Sequence, residues 1–434
     1  MKPIIYQIAL RTFTPAGTLA AATQRLAYVA SLGVSIVYVC PFFVEENDEN
    51  RETWSKRQLA SNTGNPKNPY KISDYFHVDE EFGTEADVIA FSREAHRLGM
   101  KVVFDLVYLH CARNPAFINE HPDFVVRNPD GSVKVPDRWP FARLNFECRA
   151  LREHLMRNME WLVEDMGADG FRCDVGDSVP LDFWQEAFAR LKAKHPDLIT
   201  LNEGEDPTYL DEAFDWNYGF SWQKTVRLVF ARNKSAELIR ELYVHETEKY
   251  SGRVGRLTRA LDTHDSASNA VVERNEILMT TPGMEAAWVL QMTAEGIPFV
   301  WNGTELCDRE ENCMFSNRFY GRRSTMDWSS AFTPEGERRV AVVRALTAIR
   351  CEHEALSDGA TYWLDNDAPE QVISYMRATE GERIAVIINT KSRPVITSVQ
   401  SLPEASCEMM SRGAVRSGEQ IALESYGYLV LREQ

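Results

Sequence analysis

Short apolar runs alternate with amphipathic stretches over residues 1–303. The runs that predict strands are 4–10, 34–40, 101–108, 170–175, 198–203, 259–262 and 297–303. The stretches between them have helical periodicity, and Gly33 and Gly99 follow two of them, where helices commonly end. Strands rich in Val and Ile, each followed by a helix, are typical of parallel βαβ units that are buried on both faces. Seven or eight such units predict an α/β fold of the (β/α)8 TIM barrel type, with a doubly wound open sheet as the alternative.

Two insertions and a change of pattern near the C-terminus predict the domain organisation. Residues 44–69 form a polar loop after the second strand. The insertion after the third strand contains "FVVRNPDGSVKV", which predicts two short strands around an Asn-Pro-Asp-Gly turn. From residue 360 onward, strands follow one another without helices, which indicates an antiparallel β domain. We expect a barrel over 1–110 and 148–358, a short inserted domain over 111–147, and a C-terminal β-sandwich over 360–434.

Polar side chains stand at the ends of several predicted strands. Arg172 and Asp174 close the fourth strand, and alternation directs both toward the barrel axis. The others are Asp105 and His110 at the third strand, Glu203 at the fifth, and His264 and Asp265 after the seventh. Any one of these carboxylates could cap a helix or form a structural ion pair. Because barrels carry their chemistry at the carboxyl ends of strands, the set as a whole predicts a converging polar site.

The charge pattern within this set distinguishes two kinds of carboxylate. A buried carboxylate is costly to ionise alone, so the neighbouring Arg172 is expected to keep Asp174 charged. Glu203 has no cation beside it in the sequence, and burial there would raise its pKa. Glu205 has the same strand parity as Glu203 and is the alternative acid, although the apolar run ends nearer to Glu203.

Composition excludes several kinds of partner. The 434 residues are 44% apolar and carry a formal net charge of −16, which argues against nucleic acid and suits a neutral substrate. No run reaches the roughly 18 apolar residues that span a bilayer, and the first residues lack the features of a signal peptide, so we expect no membrane association and a cytoplasmic location. The eight cysteines are scattered, and Cys307 and Cys313 lack a second pair that would complete a metal site. We interpret them as reduced structural thiols.

Four segments now resemble, in order and approximate spacing, the four motifs of the α-amylase family, glycoside hydrolase family 13. They are "DLVYLH" (105–110), "GFRCD" (170–174), "LNE" (201–203) and "THD" (263–265). The flanking segments "YQIALRTF", "LGVSIVYVCPFF", "PYKISDYFHVDEEFGT" and "GIPFVWNGTEL" are similar to further parts of that family's barrel. The resemblance covers roughly residues 1–330, and a trailing β domain also fits it.

The resemblance implies roles for individual residues. Asp174 would be the nucleophile, Glu203 the general acid/base and Asp265 the stabiliser of the transition state. Sugar-binding or bracing roles would fall on Tyr70, Asp105, His110, Arg172 and His264. The implied activity is that of a retaining α-glycoside hydrolase acting on α-glucosides or malto-oligosaccharides, whose two principal carboxyl groups lie about 5–5.5 Å apart. A transglycosylase, a sugar isomerase, a phosphorolytic enzyme and a non-catalytic sugar-binding protein are the alternatives.

The sequence departs from the family pattern at several positions. Leu109 stands where the family commonly has a calcium-binding Asn, and because Leu offers no oxygen ligand we expect no calcium there. We assign no other metal and no cofactor, and the sequence leaves open whether a calcium site exists elsewhere in the chain. Gly176 and Asp177 replace a frequent Lys-His pair, Asn202 replaces a Gly, and Lys71 replaces an Asp. These changes leave open the substrate linkage, the chain length of the substrate and the choice between hydrolysis and transfer. The sequence also leaves the oligomeric state open.

Three aromatic residues in the insertions are candidates for stacking on sugar rings. Trp139 and Phe141 lie in the insertion after the third strand, and Trp54 lies in the polar loop after the second. Each is equally consistent with a small satellite core, and the sequence leaves the two interpretations open.

Overall fold

The computed structural model describes residues 2–136, 139–267, 274–320 and 324–434. The strands are β1 (Ile5–Ile8), β2 (Ile36–Val39), β3 (Phe43–Glu45), β4 (Ile72–Val78), β5 (Lys101–Leu106), β6 (His110–Cys111), β7 (Ala142–Arg143), β8 (Gly170–Cys173), β9 (Ile199–Asn202), β10 (Trp216–Asn217), β11 (Thr258–Ala260), β12 (Ile297–Trp301), β13 (Ala360–Trp363), β14 (Val372–Ala378), β15 (Arg383–Asn389), β16 (Val395–Ser398), β17 (Ser406–Ser417) and β18 (Gln420–Glu433). The helices are α1 (Leu10–Phe13), α2 (Leu19–Thr23), α3 (Leu26–Ser31), α4 (Lys56–Ala60), α5 (Glu85–Arg97), α6 (Arg149–Glu164), α7 (Leu181–Lys192), α8 (Pro207–Glu212), α9 (Phe220–Phe230), α10 (Glu237–Lys249), α11 (His264–Ala267), α12 (Asn275–Leu278), α13 (Thr280–Thr293), α14 (Pro334–Glu352) and α15 (Glu354–Ser357).

Eight of the strands form one parallel sheet in the order β10-β9-β8-β5-β2-β1-β12-β11. A parallel bridge between Asn217 and Leu257 joins β10 to the chain just before β11, so the sheet closes on itself. Buried aliphatic and aromatic side chains, among them Ile36, Tyr38 and Phe299, form a separate core cluster contributed by these strands. The predicted (β/α)8 barrel is therefore confirmed, and the open doubly wound sheet is excluded by the closure.

All seven predicted strands overlap observed barrel strands, and the eighth, β10, was not predicted. β10 has only two residues, which is too short for apolar alternation to be recognised. The observed strands end earlier than predicted, so that Asp174 and Glu203 each stand one residue beyond β8 and β9. Asp174 is followed by Val175 in the left-handed conformation with φ of 44°, which turns the chain sharply away from the barrel.

The two insertions are mostly irregular. The polar loop over 44–69 lies between β3 and β4, which pair antiparallel, and contains the short helix α4. In the insertion after β5, the two predicted strands around the Asn-Pro-Asp-Gly turn are reduced to isolated bridges, Arg127 with Val133 and Val125 with Leu144. Most side chains between 126 and 136 are exposed, so this hairpin has no apolar face whose burial would extend it.

The C-terminal strands form an antiparallel sheet in the order β13-β14-β15-β18-β16, with β17 paired to β18. One face of this sheet, including Tyr375 and Val386, joins the main core beside the barrel helices. The other face, including Ile387 and Leu429, packs into a core of its own. The predicted C-terminal antiparallel β domain is thus confirmed. None of the described helices is long and apolar enough to cross a membrane.

Glu305, which follows β12, is a buried carboxyl group whose neighbours are hydrogen-bond donors rather than cations. Tyr6 Oη donates to its Oε1 at 2.7 Å, and the Gly303 amide donates to its Oε2 at 2.9 Å. Burial raises the pKa of Glu305 to about 7. The protonated form is therefore favoured in the folded protein, and its contribution to stability is present below the unfolded pKa and lost as pH rises through 7.

We expect Glu305→Gln to remove this pH dependence, since the amide is neutral at every pH. Between pH 4.5 and 8 the free energy of unfolding of the variant should rise relative to wild type by up to about 3 kcal/mol. Urea unfolding of both proteins at several pH values measures the difference. Glu80→Gln, at an exposed position, is the control. Parallel pH profiles for Glu305→Gln and wild type would contradict the assignment.

Candidate active site

A cavity of about 200 Å³ opens at the carboxyl ends of the barrel strands. Its lining residues are Ser55, Arg57, Asn68, Tyr70, His110, Trp139, Phe141, Asp174, Val175, Glu203, His264, Asp265, Met314 and Phe315. The three predicted carboxylates, Asp174, Glu203 and Asp265, therefore meet at one cavity although they follow three different strands.

Arg172 lies beneath this cavity and contacts three carboxylates with one guanidinium group. Its Nη1 donates to Asp105 Oδ1 at 2.7 Å and to Asp174 Oδ1 at 3.0 Å. Its Nη2 lies 2.7 Å from Glu203 Oε1. The Arg172 side chain is 0% exposed, so these ion pairs are shielded from water and are stronger than surface pairs. Three tyrosine rings surround the guanidinium, with centroids 5.5–5.9 Å from its carbon: Tyr38, Tyr70 and Tyr218.

The expectation that Glu203 lacks a cationic neighbour is therefore wrong. The cation comes from the adjacent strand, because β8 and β9 pair in parallel and bring Arg172 level with Leu201. Glu203 lies two residues further along, on the same face. Its second oxygen, Oε2, accepts a hydrogen bond of 2.9 Å from the Val175 amide. Sequence distance alone gives no indication of this pairing.

Burial, and for Asp174 also the charge of Glu203, raises the pKa of both carboxyl groups, while Arg172 acts in the opposite direction. One guanidinium faces three carboxylates, including Asp105, so a proton shared by the group lowers the unbalanced charge. The Asp174–Glu203 pair is thus able to retain a proton and titrates as a unit.

Asp105 is the terminal acceptor of a chain of hydrogen bonds that crosses the barrel. Tyr38 and Tyr70 both donate their hydroxyl protons to Asp105 Oδ2, at 2.5 and 3.0 Å. His264 Nε2 lies 2.9 Å from Tyr70 Oη, and Gln7 Nε2 lies 2.6 Å from His264 Nδ1. The Gln7 carbonyl oxygen accepts from the His264 backbone amide at 3.1 Å, which fixes the orientation of the Gln7 amide. His264 Nδ1 is therefore the acceptor, and Nε2 carries the proton.

The two histidines at the cavity are neutral near pH 7. Burial lowers the pKa of His110 to about 4 and that of His264 to about 3. His110 Nε2 lies 3.6 Å from Asp174 Oδ2, beyond hydrogen-bond distance. The His110 ring also packs on Phe141, with centroids 4.6 Å apart.

Asp265 has an environment of its own. Arg57 Nη1 forms an ion pair with Asp265 Oδ1, and Arg57 Nη2 donates to the Asp265 backbone carbonyl at 3.1 Å. Burial would raise the pKa of Asp265, but the ion pair with the Arg57 guanidinium outweighs it and holds that pKa well below its usual range. This carboxylate therefore stays ionised where the Asp174–Glu203 pair retains a proton.

Glu205 and Asp177 turn away from the cavity and organise the neighbouring loop. Glu205 Oε1 accepts from the Ser221 amide at 3.0 Å, in the first turn of α9. Asp177 Oδ2 accepts from the amides of Glu205 and Asp206 at 2.9 and 3.0 Å. The Asp177 carboxylate thus shapes the turn after β9, at the position where the family's Lys-His pair suggested a contact with substrate.

Sequence analysis missed the part of the cavity that long-range loop contacts create. Arg57, Met314 and Phe315 come from irregular segments in which no strand end or periodicity singles them out. Trp139 and Phe141 do line the cavity. Trp54 does not line the cavity; it is buried elsewhere in its loop, where its indole N–H donates to the Asp48 carbonyl at 2.7 Å.

Leu109 is buried in the main core and offers no ligand at the site where the family has an Asn. Within the described ranges, no group of three or more His, Cys, Asp or Glu side chains has the arrangement of a metal site. The charged machinery of the cavity consists of carboxylates, guanidinium groups and neutral imidazoles.

The fold and the cavity together define a class: (β/α)8 barrels with a carboxylate after the fourth, fifth and seventh strands. Comparison with known proteins shows which proteins the chain is similar to. The family model described as "Alpha amylase, catalytic domain" matches residues 9–131. The alpha-amylase MalA of Haloarcula japonica is 26% identical over 439 residues, which cover 96% of this chain and 60% of that protein.

A second relative and a solved structure are also similar to this chain. The α-1,4-glucan:maltose-1-phosphate maltosyltransferase of Arcanobacterium haemolyticum is 25% identical over 394 residues, which cover 85% of this chain and 53% of that protein. The solved structure of the maltogenic alpha-amylase AmyB from Thermotoga neapolitana superposes with a TM-score of 0.83 at 23% identity, covering 100% of this chain and 98% of that one. The chain spans less than two thirds of the length of these two curated relatives. The chain is thus similar to proteins named as an alpha-amylase and as a maltosyltransferase, and it has the fold of a solved alpha-amylase structure.

The ion pairs of Arg172 generate a prediction about stability. Arg172→Met keeps most of the side-chain volume but leaves three buried carboxylates without their cation, which we expect to cost about 3–5 kcal/mol of unfolding free energy. Denaturant titration at neutral pH measures the loss. Arg190→Met, which removes a guanidinium from a half-exposed pair with Glu160, should cost less than about 1 kcal/mol. Equal losses in the two variants would contradict the role given to Arg172.

Proposed function

We propose that the protein is a retaining α-glycoside hydrolase that acts on α-glucosides or malto-oligosaccharides by double displacement. The observation that carries the proposal is the meeting of Asp174, Glu203 and Asp265 at one cavity, with Arg172 joining the first two. Two carboxyl groups held by one guanidinium are close enough to act on the same sugar carbon, as a retaining mechanism requires.

Asp174 is proposed as the nucleophile. Its Oδ1 is held by Arg172, and its Oδ2 accepts no hydrogen bond from any described residue. In the first step a carboxylate oxygen of Asp174 bonds to the anomeric carbon as the bond to the leaving oxygen breaks. In the second step water forms the new bond to that carbon, and the Asp174 ester bond breaks.

Glu203 is proposed as the general acid and base. Burial raises its pKa, as it raises that of Asp174, so the pair favours retention of a proton, and the proposal places this proton on Glu203, where the first step needs it. Glu203 gives this proton to the leaving oxygen, and in the second step it takes a proton from water. The negative charge lost by Asp174 in forming the ester lets Glu203 ionise at the right moment, because the two groups share one cation.

Asp265 is proposed to stabilise the transition state. Its ionised carboxylate at the cavity lowers the energy of the positive charge that develops on the sugar ring. Tyr70, His110 and His264 line the same cavity and are proposed to bind the ring and its hydroxyl groups, while Asp105 and Arg172 brace them from below.

A neutral carbohydrate suits this cavity best. Three carboxylates and one guanidinium, that of Arg57, contribute the charged lining, since both histidines are neutral. A phosphate acceptor would meet net negative charge there, which disfavours phosphorolysis. Transglycosylation and isomerisation use the same covalent intermediate and differ in what reaches it, so they remain alternatives to hydrolysis. A non-catalytic sugar-binding protein is disfavoured because all three carboxylates are present.

The purified protein is expected to release the chromophore from an aryl α-glucoside, and Asp174→Ala should lower kcat by at least about 10³-fold because it removes the nucleophile. NMR of the first sugar product should show the α anomer, as retention requires. Asp182→Ala, which removes a carboxylate paired with Arg152 on the surface, should be as active as wild type. Near wild-type turnover by Asp174→Ala would refute the assignment.

Alanine variants of Glu203 and Glu205 test the choice of acid. Azide is a small nucleophile that needs no general base, so it should restore turnover to Glu203→Ala and yield a glycosyl azide. Glu205→Ala, which removes only the contact with α9, should retain most of its activity without azide. If azide rescued Glu205→Ala and left Glu203→Ala inactive, the two roles would have to be exchanged.

A further inference from the structure

The cation that pairs with Asp265 comes from an unexpected place. Arg57 lies on α4, inside the polar loop over 44–69, whereas Asp265 follows the seventh strand of the barrel. Two of the three guanidinium nitrogens contact Asp265: Nη1 the carboxylate and Nη2 the backbone carbonyl. Such a two-point contact fixes both the side chain and the local backbone, which a single charge contact would leave free to rotate.

The loop that carries Arg57 is itself held firmly. Ser55 caps α4 by accepting from the Gln58 amide at 3.1 Å. The buried Gln58 side chain donates to the carbonyls of Asn65 and Pro66 at 2.9 and 3.0 Å, which closes the loop on itself. Asn65 then donates to the Phe315 carbonyl at 3.0 Å and joins the loop to another wall of the cavity. These hydrogen bonds fix the loop that places Arg57 against Asp265.

On this geometry we propose that Arg57 is a positioning residue for the transition-state carboxylate. It occupies Oδ1 of Asp265 and leaves Oδ2, for which no hydrogen-bond donor occurs among the described residues, to face a bound sugar. The proposal rests on the function proposed above and adds to it the group that fixes the third carboxylate. The positive charge of Arg57 has a second effect, which is to keep Asp265 ionised.

Direct binding of substrate by Arg57 is the competing interpretation. The occupied nitrogens argue against it, because Nη1 and Nη2 both already contact Asp265. The two interpretations differ in a measurable way. A residue that acts through Asp265 loses its effect once Asp265 is neutral, whereas a residue that contacts the sugar keeps it.

The experiment is a double-mutant cycle of Arg57→Gln, Asp265→Asn and the double variant, assayed with an aryl α-glucoside over a range of pH. We expect Arg57→Gln to lower kcat/KM by at least about tenfold in the wild-type background and by less than about twofold in the Asp265→Asn background. Arg57→Lys should restore part of the rate, because it keeps the charge and loses the second contact.

Lys56→Gln is the matched control, because Lys56 is the exposed neighbour of Arg57 on α4, and it should behave as wild type. Equal losses from Arg57→Gln in both backgrounds would overturn the inference. Inactivity of the wild-type protein towards every aryl α-glucoside would instead refute the proposed function. Thermal unfolding then decides the inference alone: Arg57→Gln should lower Tm more in the wild-type background than in Asp265→Asn, where only the contact with the backbone carbonyl remains, and equal shifts would refute it.

Discussion

One guanidinium among three buried carboxylates is the interaction on which the rest of this site depends. Without Arg172, the carboxyl groups of Asp105, Asp174 and Glu203 would have to be protonated or hydrated, and the barrel interior offers little room for water. With it, the cluster still holds more negative than positive charge, which favours retention of a proton among the carboxyl groups. The proposed acid/base mechanism depends on such a proton.

The register of the barrel places these groups together. β5, β8 and β9 are neighbours in the sheet, and Asp105 pairs with Arg172 while Arg172 pairs with Leu201. Since side chains two residues apart share a face, Asp174 and Glu203 stand one step above that level on the same side. Parallel pairing brings the ends of all three strands to one rim. A slip of one residue between β8 and β9 would turn Glu203 away from Arg172.

This explains how much the sequence alone could predict. Strand ends are recognisable from apolar runs, and parallel strands in a barrel share a rim, so the meeting of the carboxylates at one cavity followed from local patterns. Contacts between strands and between loops could not be predicted from these local patterns. The pairing of Arg172 with Glu203 depends on register, and that of Arg57 with Asp265 depends on how an irregular loop folds back. β10 was missed because two residues carry no periodicity, and the exposed Asn-Pro-Asp-Gly hairpin had turn chemistry without an apolar face to bury.

The barrel strands hold part of the site rigidly, whereas the loops above them can vary. The barrel fixes Asp174 and Glu203 through backbone pairing and one buried cation, so their geometry changes only if strands move. Asp265 and the cavity walls depend instead on two loops that meet where Asn65 contacts the Phe315 carbonyl. A change in either loop therefore affects the other loop and alters the shape of the cavity, while Asp174 and Glu203 stay in place. Substrate choice in such an arrangement is a property of paired loops, and the chemistry is a property of the barrel.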